Sequence, residues 1–290
     1  MATSEIAPKC GPKKLYIQCE MTSSRSGLKG SDMNPRERVV KAVEFDGPDR
    51  VPNGCYPLAL VPGPRAEGVR RLFKRYPSDF AEVHGMARTL EWGPSWQKGI
   101  YVDDWGVVWK NLQDGVIGQP ITHPLSDWKN LETYKLPDPF KGFEKINEAV
   151  STATHERYML AGEGACGGIW HRLHALRGFD RILTDIVKGR KELLALIDRL
   201  VEINIEYLNR LVELNIDGVM FGDDWGTQTR LMIKPEQWRK YFKPAYEAML
   251  NVVRRSGKHI FFHSDGYMVD IIPDLIEIGV NVANVQVTLM

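Results

Sequence analysis

Three short segments place acidic or imidazole-bearing residues directly after apolar runs. They are Glu163 in Ala161-Gly162-Glu163-Gly164-Ala165-Cys166, Asp223 and Asp224 in Phe221-Gly222-Asp223-Asp224-Trp225-Gly226, and His263 and Asp265 in Phe262-His263-Ser264-Asp265-Gly266. His263 and Asp265 alternate by two, so on an extended backbone both project to one side and reach a single ion, with a carboxylate such as Glu163 from a neighbouring strand completing the shell. That pattern is metal chemistry. The structural alternative is that His263 closes the end of a sheet by hydrogen bonding while Asp265 caps the helix that follows, which Asp265-Gly266-Tyr267-Met268 also permits. Asp223 and Asp224 are adjacent, so on a strand their side chains point opposite ways. One faces the functional rim as a catalytic base or substrate anchor, and the other is an N-cap or the partner of Arg230; the residues alone leave open which is which. Trp225 would partly desolvate such a carboxylate and raise its pKa. Trp225, Gln228, Arg230 and Tyr267 complete a candidate substrate pocket.

Other reactive side chains read as structural. His171 and His174 lie three apart on a helical stretch with Ile169, Leu173 and Leu176, a spacing that favours packing or solvation over ligation. Cys166 has no histidine beside it in sequence to activate it, so a small buried thiol is the expected role. The four cysteines, Cys10, Cys19, Cys55 and Cys166, contain no CxxC pair and follow no signal-type apolar stretch, which fits a reducing compartment and a cytoplasmic location. The tetrapeptide Asp-Asp-Trp-Gly recurs at 103–106, within the hairpin-like segment, where chance or turn chemistry explains it.

The elements that must position these residues follow from hydrophobic periodicity. Buried strands are expected at Arg157–Gly162, Asp217–Gly222, His259–His263 and Asn281–Gln286, separated by helical stretches at about 169–187, 189–214, 235–255 and 268–278. Strands alternating with crossover helices build a parallel sheet, and in such sheets functional side chains gather where the strands end. Earlier, Asn34 caps a helix with Pro35 at its first position, ended by Gly47-Pro48-Asp49. Val51 to Tyr56 reads as a short strand, Pro57 to Pro64 as a loop, and Tyr101 to Trp109 around Gly106 as a hairpin. Residues 1–32 lack periodicity and read as a disordered tail, leaving 33–290 as the ordered domain. Of 290 residues, 43% are hydrophobic and 26% charged, and Lys+Arg 38 against Asp+Glu 37 leaves a net charge of +1. No bulk positive field exists to hold nucleic acid, and no run approaches the ~20 apolar residues of a membrane span.

Taken together, Met33-Asn34-Pro35-Arg36-Glu37-Arg38-Val39, Pro48-Asp49-Arg50-Val51-Pro52, Asp104-Trp105-Gly106, Tyr134-Lys135-Leu136-Pro137-Asp138-Pro139, Asp217 to Asp224 and Phe262-His263-Ser264-Asp265-Gly266 resemble the uroporphyrinogen decarboxylase superfamily over about residues 33 to 290. The resemblance implies a (β/α)8 TIM barrel. It also implies one of two activities: decarboxylation of a porphyrinogen, or zinc-dependent methyl transfer between a small-molecule methyl donor or acceptor and a corrinoid protein carrying cobalamin. The decarboxylase branch has an arginine-rich stretch where this chain has Tyr56-Pro57-Leu58-Ala59-Leu60-Val61, and without that clamp a polycarboxylate would not be recognised. The methyltransferase branch binds zinc through His-x-Cys and a later Cys, whereas this chain carries His263-Ser264-Asp265, an oxygen donor that disfavours thiol activation and leaves ether or amine substrates. The expectation is therefore the methyltransferase branch, with a decarboxylase of a smaller cyclic carboxylate as the alternative and a non-catalytic, partner-binding barrel fragment as the third reading. The family's last strands and last Cys would fall beyond Met290, so a truncated barrel of about six strands is expected, with an exposed edge prone to association into a homo-oligomer.

Overall fold

The computed structural model describes residues 16–17, 33–54, 64–82, 94–162 and 164–286. Glu163, Cys10, Cys19 and segment 55–61 lie outside the described residues. Among the described residues, nine strands and nine α-helices follow one another in chain order: β1 (Tyr16–Ile17), α1 (Pro35–Val43), α2 (Pro64–Arg75), β2 (Phe80–Glu82), β3 (Gly99–Val102), β4 (Val108–Asn111), β5 (Gln119–Thr122), α3 (Phe143–Thr152), β6 (Tyr158–Gly162), α4 (Ile169–Arg177), α5 (Phe179–Lys188), α6 (Lys191–Leu211), β7 (Gly218–Gly222), α7 (Pro235–Tyr241), α8 (Lys243–Arg255), β8 (His259–Asp265), α9 (Ile272–Glu277) and β9 (Val282–Gln286). Among the described residues no helix is long and apolar enough to cross a membrane.

Six strands form one curled, all-parallel sheet in the order β1-β9-β8-β7-β6-β2, an incomplete barrel. Its central strands are apolar because both faces are covered: β7 reads Gly-Val-Met-Phe-Gly and is buried along nearly its whole length. Alternation divides its side chains. Val219 and Phe221 point outward into the large core under α4 to α8, whereas Met220 points inward with Tyr158, Phe261 and Val39 of α1. Helix α1 thus closes the end of the curl where the strands begin. It is held by a capping box in which Asn34 Oδ1 accepts from Glu37 N at 2.8 Å and the Glu37 carboxylate accepts from Asn34 N at 3.2 Å. The helix ends at Val43, before Gly47, with Phe45 in the left-handed region.

Two helical stretches that periodicity reads as continuous are broken, each for a local reason. Gly178, at φ 96°, separates α4 from α5. Pro244, in the first turn of α8, cannot donate to a carbonyl four residues earlier, so the chain restarts after Phe242. Val51–Gly54 forms no strand, and Pro64 opens α2 rather than closing a loop. Tyr16–Ile17, inside the segment expected as a tail, pair in parallel with β9. The hairpin around Gly106 is present as β3 and β4, extended by β5 into an antiparallel sheet. Asp103 makes its turn: Oδ1 accepts from Trp105 N and Val107 N at 3.0 and 2.8 Å, and Oδ2 from Trp109 Nε1 at 3.0 Å. The turn is docked by Arg172 of α4, which lies over the Trp105 ring at 4.2 Å.

Candidate metal centre

The same alternation that sorts the β7 core settles the roles of its two terminal acids. Asp223 continues the outward row of Val219 and Phe221. It is 0% exposed, and its carboxylate receives the backbone N–H groups of Trp170 and His171 at 2.9 Å and the Tyr246 hydroxyl. It therefore caps α4 from a neighbouring strand. The N-cap position itself is Gly168, which offers no side chain. A Cβ there would lie 2.0 Å from Asp223 Oδ1 and 2.2 Å from the Gly222 carbonyl, so the space a capping side chain would need is already filled.

Asp224 continues the inward row. It meets His263 and Asp265, the last inward side chains of β8, and one donor atom from each of the three lies within 4.8 Å of the others. His263 Nε2 stands 3.5 Å from Asp265 Oδ1 and 3.9 Å from Asp224 Oδ1. On its other side, His263 Nδ1 is 2.7 Å from Asn284 Oδ1 on β9; because the amide oxygen only accepts, Nδ1 donates, and Nε2 is the ring atom that faces the two carboxylates. Asp265 Oδ1 is buried with no hydrogen-bond donor, while Asp224 Oδ1 accepts from Asp265 N at 2.8 Å. Two carboxylate oxygens and an imidazole nitrogen, converging with one of them orphaned, fit a divalent cation bound by hard or borderline ligands.

Backbone contact fixes the spacing of the two acids. A Cβ on Gly226 would lie 2.3 Å from Gly266 C, and one on Gly266 would lie 2.3 Å from Gly226 O, so the loops leaving β7 and β8 touch main chain to main chain. Gly226 N donates to Asp265 O at 3.2 Å and Tyr267 N to Thr227 O at 2.7 Å across the same seam.

His171, on the first turn of α4, joins both acids. Nδ1 lies 3.1 Å from Asp223 Oδ1 and Nε2 lies 3.1 Å from Asp224 Oδ2. Burial alone would pull its pKa down, but hydrogen bonds to the two carboxylates and then their charges prevail, pushing it up to about 10. Burial likewise raises Asp224, yet the His171 hydrogen bond, the Asp265 N–H and the nearby imidazoles hold it below the ordinary carboxylate value. Asp265 moves the other way, raised by burial and by the Asp224 charge. Next along the helix, His174 is drawn down to about 4 by burial and by the His171 cation.

Of the residues singled out in the sequence, His263, Asp265 and Asp224 come together; Glu163, expected as a ligand, lies outside the described residues, and Asp224 supplies the third donor. Asp223 is a helix cap rather than a catalytic group. Trp225 is 0% exposed and packs among Trp170, Trp238, Phe242 and Tyr246, so it belongs to the core and not to a substrate pocket. Gln228 and Arg230 are exposed on the loop after β7, where the Arg230 carbonyl accepts from Thr227 N at 2.8 Å; the observed partners of both aspartates exclude Arg230. Tyr267 is partly buried on the seam, beside the rim. His171 is the residue of this rim that sequence reasoning set aside. Its partners are more than fifty positions away, and the only available signal was its place at the N-terminal turn of the helix that follows β6.

The uroporphyrinogen decarboxylase (URO-D) family profile matches residues 112–288, more than half of the chain and inclusive of every residue of this rim. No curated protein sequence matches. Among solved structures, a methyltransferase from Methanosarcina mazei superposes with a TM-score of 0.59 at 16% identity, covering 87% of this chain and 76% of that one. The apo form of 3-keto-D-glucoside 4-epimerase, YcjR, from E. coli, gives 0.28 at 16% identity, covering 58% and 65%. The half-barrel, its helix-capping aspartate and its acidic rim thus sit within a recognised lineage: the chain belongs to the uroporphyrinogen decarboxylase family.

Proposed function

We propose that the chain is a metal-dependent methyltransferase of the cytoplasm that exchanges a methyl group between a small substrate and the cobalamin of a corrinoid protein. The observation that carries this reading is the convergence of Asp224, His263 and Asp265 at the strand exits of a URO-D family sheet. His263 and the two carboxylates would hold the ion, zinc being well matched to one nitrogen and two oxygens. When bound, such an ion supplies Lewis acidity at the heteroatom that gives or takes the methyl group. The chain's own contribution is to present the donors already aimed. Asn284 orients the His263 ring, and the Gly226–Gly266 seam fixes the distance between the acids. An oxygen-rich donor set polarises an ether, alcohol or amine more suitably than it activates a thiol, which sets the proposed substrate class. Tyr267, Gln228 and Arg230 lie on the adjoining loops and would contact that substrate. The fold likeness to a methyltransferase supports the branch.

The test is metal analysis of purified wild type against His263→Ala, paired with a methyl-transfer assay before and after chelation. Stoichiometric zinc that disappears in the variant, with activity abolished by the chelator, is the expected result. No metal in either protein overturns the reading. Turnover of a cyclic carboxylate that survives chelation would move the chain to the decarboxylase branch, and a phenotype indifferent to both His263 and Asp265 would leave a partner-binding fragment.

A further inference from the structure

We propose that His171 is a positioning residue that holds Asp224 in its ligating orientation. The proposal rests on the metal-centre reading above and extends it to a residue outside the ligand set. An aspartate side chain turns about two bonds, so aiming one oxygen at an ion requires that the other be restrained. Asp224 Oδ2 is restrained by His171 Nε2 at 3.1 Å, while Oδ1 accepts from Asp265 N at 2.8 Å and faces His263. His171 is itself held by Asp223. Its backbone N–H donates to Asp223 Oδ1 at 2.9 Å, its Nδ1 lies 3.1 Å from that oxygen, and Asp223 is bound in turn by Trp170 N and the Tyr246 hydroxyl. A relay of fixed groups therefore runs from the buried Tyr246 through Asp223 and His171 to the ligand. Both ring nitrogens face carboxylates, so the ring is committed to this relay. The exposure of half of its side chain makes it replaceable without opening the core.

The relay differs from a simple capping role in what it predicts. If His171 only stabilised the start of α4, its removal would cost stability through the lost side-chain contacts alone, since the backbone cap survives substitution, and would leave metal affinity unchanged. If it positions Asp224, removal weakens the metal by about ten- to a hundredfold, the usual cost of losing a group that orients a ligand. The experiment titrates Zn2+ into wild type, His171→Ala and His171→Gln by calorimetry, records the visible absorption bands of the Co2+-loaded proteins, and measures thermal unfolding of all three in chelator. The expected result is weaker Zn2+ binding and altered Co2+ bands in His171→Ala, partial recovery of both in His171→Gln, which can still donate to Asp224, and unfolding midpoints in chelator that differ only by the small contribution of a half-exposed imidazole. His171→Phe fills the ring's volume without a donor, and it decides the matter in the same way should His171→Ala fail to fold. Wild-type affinity and bands in the variant lacking the donor overturn the positioning role while leaving the metal centre intact. Absence of metal from the wild type removes the centre and this inference with it.

Discussion

The two ends of the parallel sheet use the same residue types to opposite effect. Where the strands begin, charge is saturated. Asp79, 1% exposed just before β2, accepts from Arg38 Nη1 at 2.7 Å, from both Arg50 terminal nitrogens at 2.8 Å and from Asn53 N at 2.6 Å. Asp217, before β7, takes Arg36 and Met159 N at 2.8 Å, and His259 meets the Tyr158 hydroxyl at 2.8 Å. Where the strands exit, donors are spread unevenly: Asp223 takes three, Asp224 is served by His171 and Asp265 N, and Asp265 Oδ1 has none. The first arrangement satisfies buried charge and fastens α1 to the sheet. The second leaves an electrostatic deficit that a cation would fill. The difference shows that an aspartate's role here follows from how many donors its neighbours supply.

Four measurements break or sharpen this contrast. The largest effect is expected from Asp79→Ala, which removes the buried carboxylate shared by Arg38, Arg50 and Asn53 N while leaving Arg38 its pair with Asp49, and should lower the unfolding free energy by about 3 kcal/mol in a denaturant titration; a loss under about 1 kcal/mol would mean the strand-start network is incidental. Gly168→Ala comes next. The clash with Asp223 and Gly222 forces α4 away from β7, costing about 1–3 kcal/mol and weakening metal binding in the same preparation. Unchanged stability there would show that the cap tolerates a side chain. His263→Ala should do the reverse of Asp79→Ala, changing the stability of the chelated protein by less than about 1 kcal/mol while abolishing zinc binding. Marked unfolding with zinc retained would move His263 into the structural class.

The smallest effect is in pH dependence. The pKa of His171 in the fold, about 10, lies above its ordinary value of 6.5, so its contribution is complete below the ordinary value and fades as pH rises toward the higher one. Solvent screens a half-exposed group, so a shallow alkaline decline of the unfolding midpoint is expected in metal-free wild type and is expected to vanish in His171→Gln. Parallel declines in the two proteins would assign it to other groups. His174 has the opposite sign, its contribution being present above 6.5 and lost as pH falls toward about 4.

Much of this architecture was legible from periodicity. Strands β6 to β9 and helix α6 fall within one to three residues of their expected limits, because both-sided burial and an unbroken apolar stripe are strong local signals. The helix breaks at Gly178 and Phe242 were not, since a single glycine or proline hardly disturbs a hydrophobic stripe. At the site, the pairing of His263 with Asp265 was readable from strand alternation. The split between Asp223 and Asp224 was only half readable. Adjacency says that they diverge, but assigning sides requires knowing that Met220 faces the inside of the curl. Trp225 was misjudged for the same reason, being placed beside Asp224 in sequence and on the outward row in space. His171 and Asp79 were illegible because their partners come from distant elements, and nothing in the residues around them records a contact that lies 26 to 41 positions away for Asp79 and 52 to 53 for His171.

The glycine seam between the β7 and β8 exit loops has an evolutionary consequence. Because main chain rather than side chain sets the separation of the two strand ends, the side chain at position 265 can change without disturbing the span between the strand ends. Sulfur and oxygen become exchangeable options on one fixed frame. The loops are not exchangeable singly. A chimaera that imports one of them from a relative with a bulkier residue at the crossing would pry the rim apart, whereas transplanting both together should carry the donor spacing across intact.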